Sequence, residues 1–364
     1  MRKLSVLILS IFLIMGMSYE GYSQLNRRQI KKNRRQISSY KGRKKGFGKE
    51  RRYNYIGLSV NGMNYFGDLA PSSKMFSTDF SLIQPGVGLF WGHRFGPRYT
   101  LRTSFNYGGI RGNDFESADP NDSDGIFRYA RNLQFRNRIK ELSIVAMFDL
   151  FKNENTYISR VQFTPFVYAG VAVLHHNPQA YVGENSGLPE AGEWVDLQEI
   201  GTEGQYAPLL DTDANHGIEP YKKWQVAIPV GIGIRYRLNQ VMDITFETGV
   251  RYLFFDYLDD VSQNYVDPGV FDSDLARYLH DRSLEPTDAL SGDSRNNEAF
   301  QSFISGRVTT ITGRDGNTYQ VISGFGSEFP DNVRGNDNEN DIYVVTSLKI
   351  SFVVGGKFLR AKFR

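Results

Sequence analysis

Trp224–Phe255 reads WQVAIPVGIGIRYRLNQVMDITFETGVRYLFF. Every second residue of its first half is large and apolar: Val226, Ile228, Val230, Ile232, Ile234 and Tyr236. Gln225, Ala227, Pro229, Gly231, Gly233 and Arg235 fall between them. After Leu238-Asn239-Gln240 the alternation resumes, with Ile244, Phe246, Thr248, Val250 and Tyr252 set against Asp243, Thr245, Glu247, Gly249 and Arg251. Side chains on a strand point to opposite faces in turn, so this is a hairpin with one apolar and one charged face. Two folds satisfy the pattern. A soluble sandwich buries the apolar face and wets the charges. A membrane barrel turns the apolar face to lipid and the charges to its lumen.

The rest of the chain bears on that choice. Its 364 residues suffice for one large domain or two ordinary ones. The 26 Phe, 21 Tyr and 36 Gly suit strands and turns better than helices. There is no cysteine, which rules out disulfides, thiolate zinc sites and an acylated lipoprotein anchor. A mean hydropathy of −0.42 does not exclude a barrel, because lumen and loop residues dilute it.

The N-terminus has the form of a secretory signal. Arg2 and Lys3 precede the apolar run Leu4–Met17, and Gly21-Tyr22-Ser23 offers a cleavage site. An uncleaved anchor helix is the alternative, but a span needs about 20 apolar residues. Residues 1–23 are therefore read as a signal peptide. Residues 24–52 form a basic arm, expected to be disordered and periplasmic. Asn26–Arg52 holds thirteen Lys/Arg against Glu50 alone, a net +12. With +3 for the whole chain and +1 for the leader, Tyr53 onward carries −10. In a cytoplasmic protein such an arm suggests nucleic acid; export argues against that, leaving a solvated tail or a docking arm for an acidic partner or anionic headgroups.

Strands are expected at Tyr53–Asn64, Ile83–Phe95, Arg98–Gly108, Ile139–Phe151 and Phe163–His175, then in the opening hairpin and at Ile342–Val354. The fifth is apolar or small almost throughout, so its facing is ambiguous. Connections alternate in length. Phe95–Arg98, Lys152–Gln162 and Leu238–Val241 are short, whereas Tyr65–Leu82, Gly109–Arg138, His176–Lys223 and Asp256–Asp341 are long. With eight strands and a periplasmic N-terminus, every short turn falls on one side and every long loop on the other, as in outer-membrane barrels. The expected fold is all-β: an eight-stranded antiparallel transmembrane β-barrel of outer-membrane type over residues 53–354, with long extracellular loops. The largest loop is 256–341, and residues 355–364 form a basic tail. In that loop a hairpin is expected around Gly313–Asn317 and helical turns within Asp274–Arg282.

Charge follows the same sorting. Asp256–Asp341 has seventeen acids and six arginines. Arg94, Arg98, Lys152, Arg160 and Arg237 sit at the short-turn pole, joined by Lys357, Arg360 and Lys362 of the tail. These eight are the candidate partner-docking surface. By parity Arg102, Glu141, Asp149, Arg235, Asp243, Glu247, Arg251 and Lys349 point into the lumen. Eight strands leave an interior just wide enough for side chains, so these charges should pair and fill it. That argues against a diffusion pore and places function at the ends.

No HExxH or GxSxG motif appears, and the adjacent His175 and His176 face opposite ways on a strand. No enzymatic activity, cofactor or metal is expected. Asp119–Gly125 resembles a calcium loop, but Pro120 occupies the first-ligand position. The Asn336–Asp341 run has the ligands for a hard cation, yet such acidic loops usually stay solvated.

Several stretches carry a family likeness: NYFGDLAP (Asn64–Pro71), QPGVGLFWGHRFGPRYTLRTSFNYGGIRGND (Gln84–Asp114), YARNLQFRNRIKELSIVAMFDL (Tyr129–Leu150), TPFVYAGVAVLHHNPQA (Thr164–Ala180) and RYLFFDYLDDVS (Arg251–Ser262). Together they resemble the PorG-type outer-membrane barrels of Bacteroidota, over Tyr53–Ser262 and the last strand. The resemblance implies a part in the type IX protein secretion system, which also supports gliding motility. It further implies contact on the periplasmic side with a ring of PorK-type lipoprotein and PorN-type protein. The basic arm and the long acidic loop match no family motif. The expected function is a non-enzymatic scaffold in the outer membrane of a Gram-negative bacterium, with both termini periplasmic, outer-membrane lipid around it and no nucleic acid or small-molecule substrate. The alternative is a surface barrel that binds an external ligand through its acidic loops.

Overall fold

A computed structural model describes residues 51–69, 82–123, 125–155, 159–326, 332–337 and 339–354. The expected signal peptide, nearly all of the basic arm, and the C-terminal tail with Lys357, Arg360 and Lys362 lie outside the described residues.

Eight long strands close into one antiparallel barrel: β1 (Tyr53–Phe66), β2 (Gln84–Arg94), β3 (Tyr99–Asn113), β4 (Gln134–Asp149), β5 (Phe163–His175), β8 (Trp224–Arg237), β9 (Met242–Leu253) and β12 (Ile342–Val354). Each pairs with its predecessor and successor around the ring, and β12 pairs with β1 to close it. A closed meander leaves no long edge and satisfies every ladder within itself, which is what a bilayer demands of a spanning sheet. The loops add two short strands, β6 (Pro178–Tyr181) and β7 (Trp194–Asp196), that extend the sheet beyond β4, and a separate hairpin of β10 (Val308–Thr312) and β11 (Thr318–Ile322). The expected helical turns are a helix at Asp274–His280, capped by Ser273. Among the described residues no helix is long and apolar enough to cross a membrane.

The alternation of the opening hairpin has a direct structural counterpart. Val226, Ile228, Val230 and Ile232 are exposed, while Ala227, Pro229 and Gly233 face inward. Ile56, Leu58, Val60, Val87, Leu89, Leu142, Ile144, Leu348 and Ile350 continue the apolar outer surface around the ring. The ambiguous fifth strand turns Val167, Val171 and Val173 outward and Phe166, Tyr168 and Leu174 inward. Exposed aromatics edge this band: Trp91, Tyr99, Phe163, Tyr236 and Phe352 on the short-turn side, Tyr107, Trp224 and Tyr252 on the other. From Tyr99 to Tyr107 and from Trp224 to Tyr236, at about 3.4 Å per residue and a tilt of about 40°, the band projects to about 21 and about 31 Å, bracketing the height of a barrel's apolar belt.

Two inner glycines let an aromatic ring cross the lumen. A Cβ on Gly249 would lie 2.1 Å from the Tyr168 hydroxyl, and one on Gly231 2.5 Å from it.

Strands β3 and β4 run further than the expected Arg98–Gly108 and Ile139–Phe151. Their ladder continues through Arg111↔Arg136 to Asn113↔Gln134. Along this extension the polarity of the two faces reverses: Ile110, Phe135 and Ile139 point inward and are buried, while Arg138 points out and is exposed. Water replaces lipid outside, and the loops replace the polar lumen inside.

The long loops pack into a cap with cores of its own. One core joins Ile126, Tyr129, Tyr265, Phe300, Ile322 and Phe325; another runs down into the upper lumen through Tyr65, Leu69, Phe135, Leu258 and Val261. The Asn336–Asp341 run is exposed at Asn336, Asp337, Glu339 and Asn340, as expected, but other acids of 256–341 are not solvated. Asp256, Asp259, Asp260, Asp288 and Asp341 are all buried.

Candidate functional site

The candidate site is the short-turn end of the barrel together with the charge column behind it. Its turns are built from local bonds. The Phe95 amide donates to the Tyr99 carbonyl across Gly96-Pro97, and the Asn239 carboxamide oxygen accepts from the Val241 and Met242 amides to close the β8–β9 turn.

Behind these turns the lumen charges pair. Arg102 meets Glu247 through two parallel bonds of 2.7 and 2.8 Å, and Lys349 reaches the same carboxylate at 3.3 Å. The Arg251 Nε lies 3.1 Å from the Glu141 carboxylate, which also accepts from the Tyr343 hydroxyl at 2.7 Å and the Asn106 amide at 2.9 Å. Lower down, Arg235 contacts Asp149 at 3.5 Å, and Asp243 is met by Arg160 at 2.6 Å. All eight expected lumen residues fall in this column. Aromatic faces line it: Arg102 lies over the Tyr168 and Phe90 rings, and Arg235 over Phe166.

Two members of the expected docking surface are corrected. Arg94 is 3% exposed; it pairs with Asp149 at 2.7 Å and donates to the Gly96 and Pro97 carbonyls. Arg160 is 4% exposed and also donates to the Gln240 carbonyl. Both plug the lumen mouth instead of facing a partner. Parity missed them because each ends or precedes a strand, where alternation no longer assigns a face. With them the column holds six cations (Arg94, Arg102, Arg160, Arg235, Arg251, Lys349) against four carboxylates (Glu141, Asp149, Asp243, Glu247). Of the other described members, Arg98 is half-exposed over the Phe148 ring, Lys152 is exposed and paired with Glu154, and Arg237 is half-exposed beside Asp243. Arg98, Lys152 and Arg237 are thus the described residues of that set left accessible to solvent, Arg237 at the rim of the lumen mouth itself.

The cap end differs in chemistry. Arg334 pairs with Glu203 at 2.8 Å and donates to the Asp260 carbonyl, tying the β5–β8 loop to the β9–β12 loop. Arg131 pairs with Asp114, and Arg295 donates to the carbonyls of Tyr129, Ala130, Ser283 and Glu285. Near the barrel rim the Tyr65 hydroxyl lies 2.6 Å from both Asp259 Oδ2 and Asp341 Oδ1. One phenolic proton cannot serve two carboxylates, so one of the two carboxyls is protonated and donates back. Burial drives both acids well above the usual carboxylate range, each reinforced by a neighbouring aspartate. Asp256 is pushed up to about 9 by burial and by Asp259. His280, enclosed against the Thr202 and Val266 carbonyls, is lowered to about 3 by burial and by Arg334.

A family model described as a domain of unknown function (DUF6089) matches residues 47–191. Curated proteins give no match. Solved structures similar to the chain include the outer membrane protein OprG from Pseudomonas aeruginosa, at 7% identity over 85% of this chain and 99% of that one, with a TM-score of 0.33. Neisserial surface protein A is similar at 8% identity over 82% and 96%, TM-score 0.32. A major outer membrane protein from Thermus thermophilus is similar at 11% identity over 82% and 99%, TM-score 0.32. The barrel assignment itself rests on the closed eight-stranded sheet and its apolar outer band: the chain is a β-barrel of outer-membrane type.

Proposed function

We propose that this barrel is a non-enzymatic scaffold of the outer membrane. In this reading it anchors a periplasmic ring of the PorK/PorN type, within a type IX secretion system, through its short-turn end. The observation that carries the scaffold reading is the filled interior. Paired charges occupy the mid-lumen and an apolar core occupies its upper part, so transport through the wall has no path and the work falls to the ends. The choice of partner rests on the sequence stretches that resemble the PorG-type barrels. The docking charge then comes from Arg98, Lys152 and Arg237, with Lys357, Arg360, Lys362 and the basic arm.

Affinity isolation of the tagged protein from outer membranes tests this. Ring proteins should accompany the wild type at low salt and be released at high salt, since exposed charge pairs are screened within about 8–10 Å at physiological ionic strength. An R98E/R237E chain lacking residues 24–52 that retains the ring equally at both salts would sink the electrostatic docking.

A second reading, recognition of an external ligand by the cap, is favoured by one feature. Among the described residues β10 (Val308–Thr312) pairs only with β11, and β11 is the strand packed on the cap. The Gly313 and Ser323 amide bonds across the hairpin set its phase, which turns the backbone groups of Val308, Thr310 and Thr312 to the open edge. An extended segment can add to such an edge. Replacing 256–341 by a short turn separates the readings: ring retention survives under the first and external binding is lost under the second.

A further inference from the structure

We propose that Arg136, Arg138 and Lys140 form a binding site for the phosphate of a lipid headgroup at the long-loop edge of the apolar band. The inference rests on the membrane-inserted barrel of the preceding reading and adds a ligand to it.

The register places the site. One row across the outer surface runs Tyr107–Lys140–His175–Trp224. Two residues toward the short turns, the same strands present Phe105–Leu142–Val173–Val226, all exposed and apolar. Two residues the other way stand Gly109 and Arg138, and two further Arg111, Arg136 and Gln179. The outer face of β4 therefore changes from Ile144 and Leu142 to Lys140, Arg138 and Arg136 in consecutive outward positions. At about 3.4 Å per residue the three cations spread over about 14 Å of strand, beginning in the row that carries the aromatic edge. That is the depth at which headgroup phosphates lie.

The three side chains are prepared in different ways. The Arg136 guanidinium sits over the Trp194 ring, 3.8 Å from its centroid, and its Nε donates to the Gln179 side chain at 2.9 Å. The hydrogen bond to Gln179 uses Nε and not the two Nη groups, a fork suited to phosphate oxygens. Arg138 and Lys140 are exposed, and neither has an ion pair among the described residues. The nearby acids are already engaged: Glu116 with Arg111 at 3.0 Å, Glu199 with Lys223 at 3.1 Å, and Asp196 with the Gln179 amide at 2.6 Å. Charged outward side chains are costly at the midplane of a bilayer and nearly free at its edge, so lipid exposure alone does not select three of one sign here. An anionic headgroup whose acyl chains lie on Leu142, Val173 and Val226 supplies the missing partner.

The test uses the full chain inserted in phosphatidylcholine vesicles, with resistance to proteolysis as the check of insertion. Retention of phosphorylated lipid A after transfer to neutral detergent is read by native mass spectrometry. The comparison arms are lipid A stripped of phosphate, and inorganic phosphate as competitor. The wild type should retain the phosphorylated lipid, and R138Q/K140Q should retain about tenfold less, as expected for about 1.4 kcal/mol of lost contact. R138K/K140R should stay within about twofold of wild type, which also shows that substitution there leaves the barrel folded. Equal retention by R138Q/K140Q, or equal retention of the stripped lipid, overturns the site. Displacement by inorganic phosphate at equal concentration overturns the lipid source. Failure of the wild type to insert overturns the membrane reading and the proposal with it.

Discussion

Glu247→Gln is the sharpest perturbation of the lumen. Glu247 is 2% exposed and is the shared anion of Arg102, at 2.7 and 2.8 Å, and of Lys349, at 3.3 Å. The amide keeps the shape but leaves two buried cations with no carboxylate and turns an NH2 toward them. Removing one partner of a buried ion pair costs about 3–5 kcal/mol, the unpaired charge being the expensive part. Two cations depend on this one, so the upper half of that range is expected. At about 1.4 kcal/mol per tenfold, 3–5 kcal/mol is a factor of about 100 to 4,000 in the folding equilibrium. The assay is urea unfolding of the vesicle-inserted barrel, followed by tryptophan fluorescence. Neutralising the whole group as R102M/E247L/K349M should recover most of the loss, because an apolar replacement leaves no charge unpaired. If Glu247→Gln shifts stability by less than about 1 kcal/mol, the lumen is wet, the charges are solvated one by one, and the account of a filled interior is wrong.

Other expectations follow from the same geometry. The cap should loosen with rising pH: in the folded state Asp256 and one carboxyl of the Asp259–Asp341 pair hold protons that the unfolded chain releases above about 4, so stability falls as pH rises from about 4 toward the raised folded values, about 9 for Asp256, by up to about 1.4 kcal/mol per pH unit for each proton involved. Asp68, Glu203 and Arg131 face the same cluster and do not reverse that sign. Hydrogen exchange of cap amides, corrected for the intrinsic pH dependence, measures the slope, and Asp256→Asn should flatten it. Gly249→Ala drives a methyl into the Tyr168 hydroxyl and should lower stability by about 1–3 kcal/mol; Tyr168→Phe in the same chain should return part of it, and no rescue would mean the clash lies elsewhere. Arg334→Met frees Glu203 from its cation and should raise proteolytic cleavage within 256–341 while leaving the barrel's resistance unchanged.

The membrane wall was legible because one physical rule governs it. Lipid outside and a narrow lumen inside impose a strict two-residue period, so Ile56, Leu142, Val230 and Ile350 declare the outer face and Glu141, Glu247 and Lys349 the inner. Where the rule lapses, so did the reading. Arg94 and Arg160 sit at strand ends, and a basic residue near a turn looks the same whether it folds back into the mouth or faces outward. The outer parts of β3 and β4 were missed because polarity inverts there: QFRNR carries its charges outward and Phe135 inward, which is the alternation of a water-facing strand. The cap was least legible. Its buried aspartates find their partners across long stretches of chain, Tyr65 with Asp259 and Asp341, Glu203 with Arg334, and no local spacing encodes such meetings.

Planar-bilayer conductance of the purified, inserted barrel tests the central claim most directly. A barrel filled by the Arg102–Glu247–Lys349 and Arg251–Glu141 groups should show no stable ohmic steps at any voltage the bilayer withstands, and should stay silent when 256–341 is replaced by a short turn. Reproducible conductance steps from the wild-type barrel would contradict a sealed scaffold and point to transport through the wall.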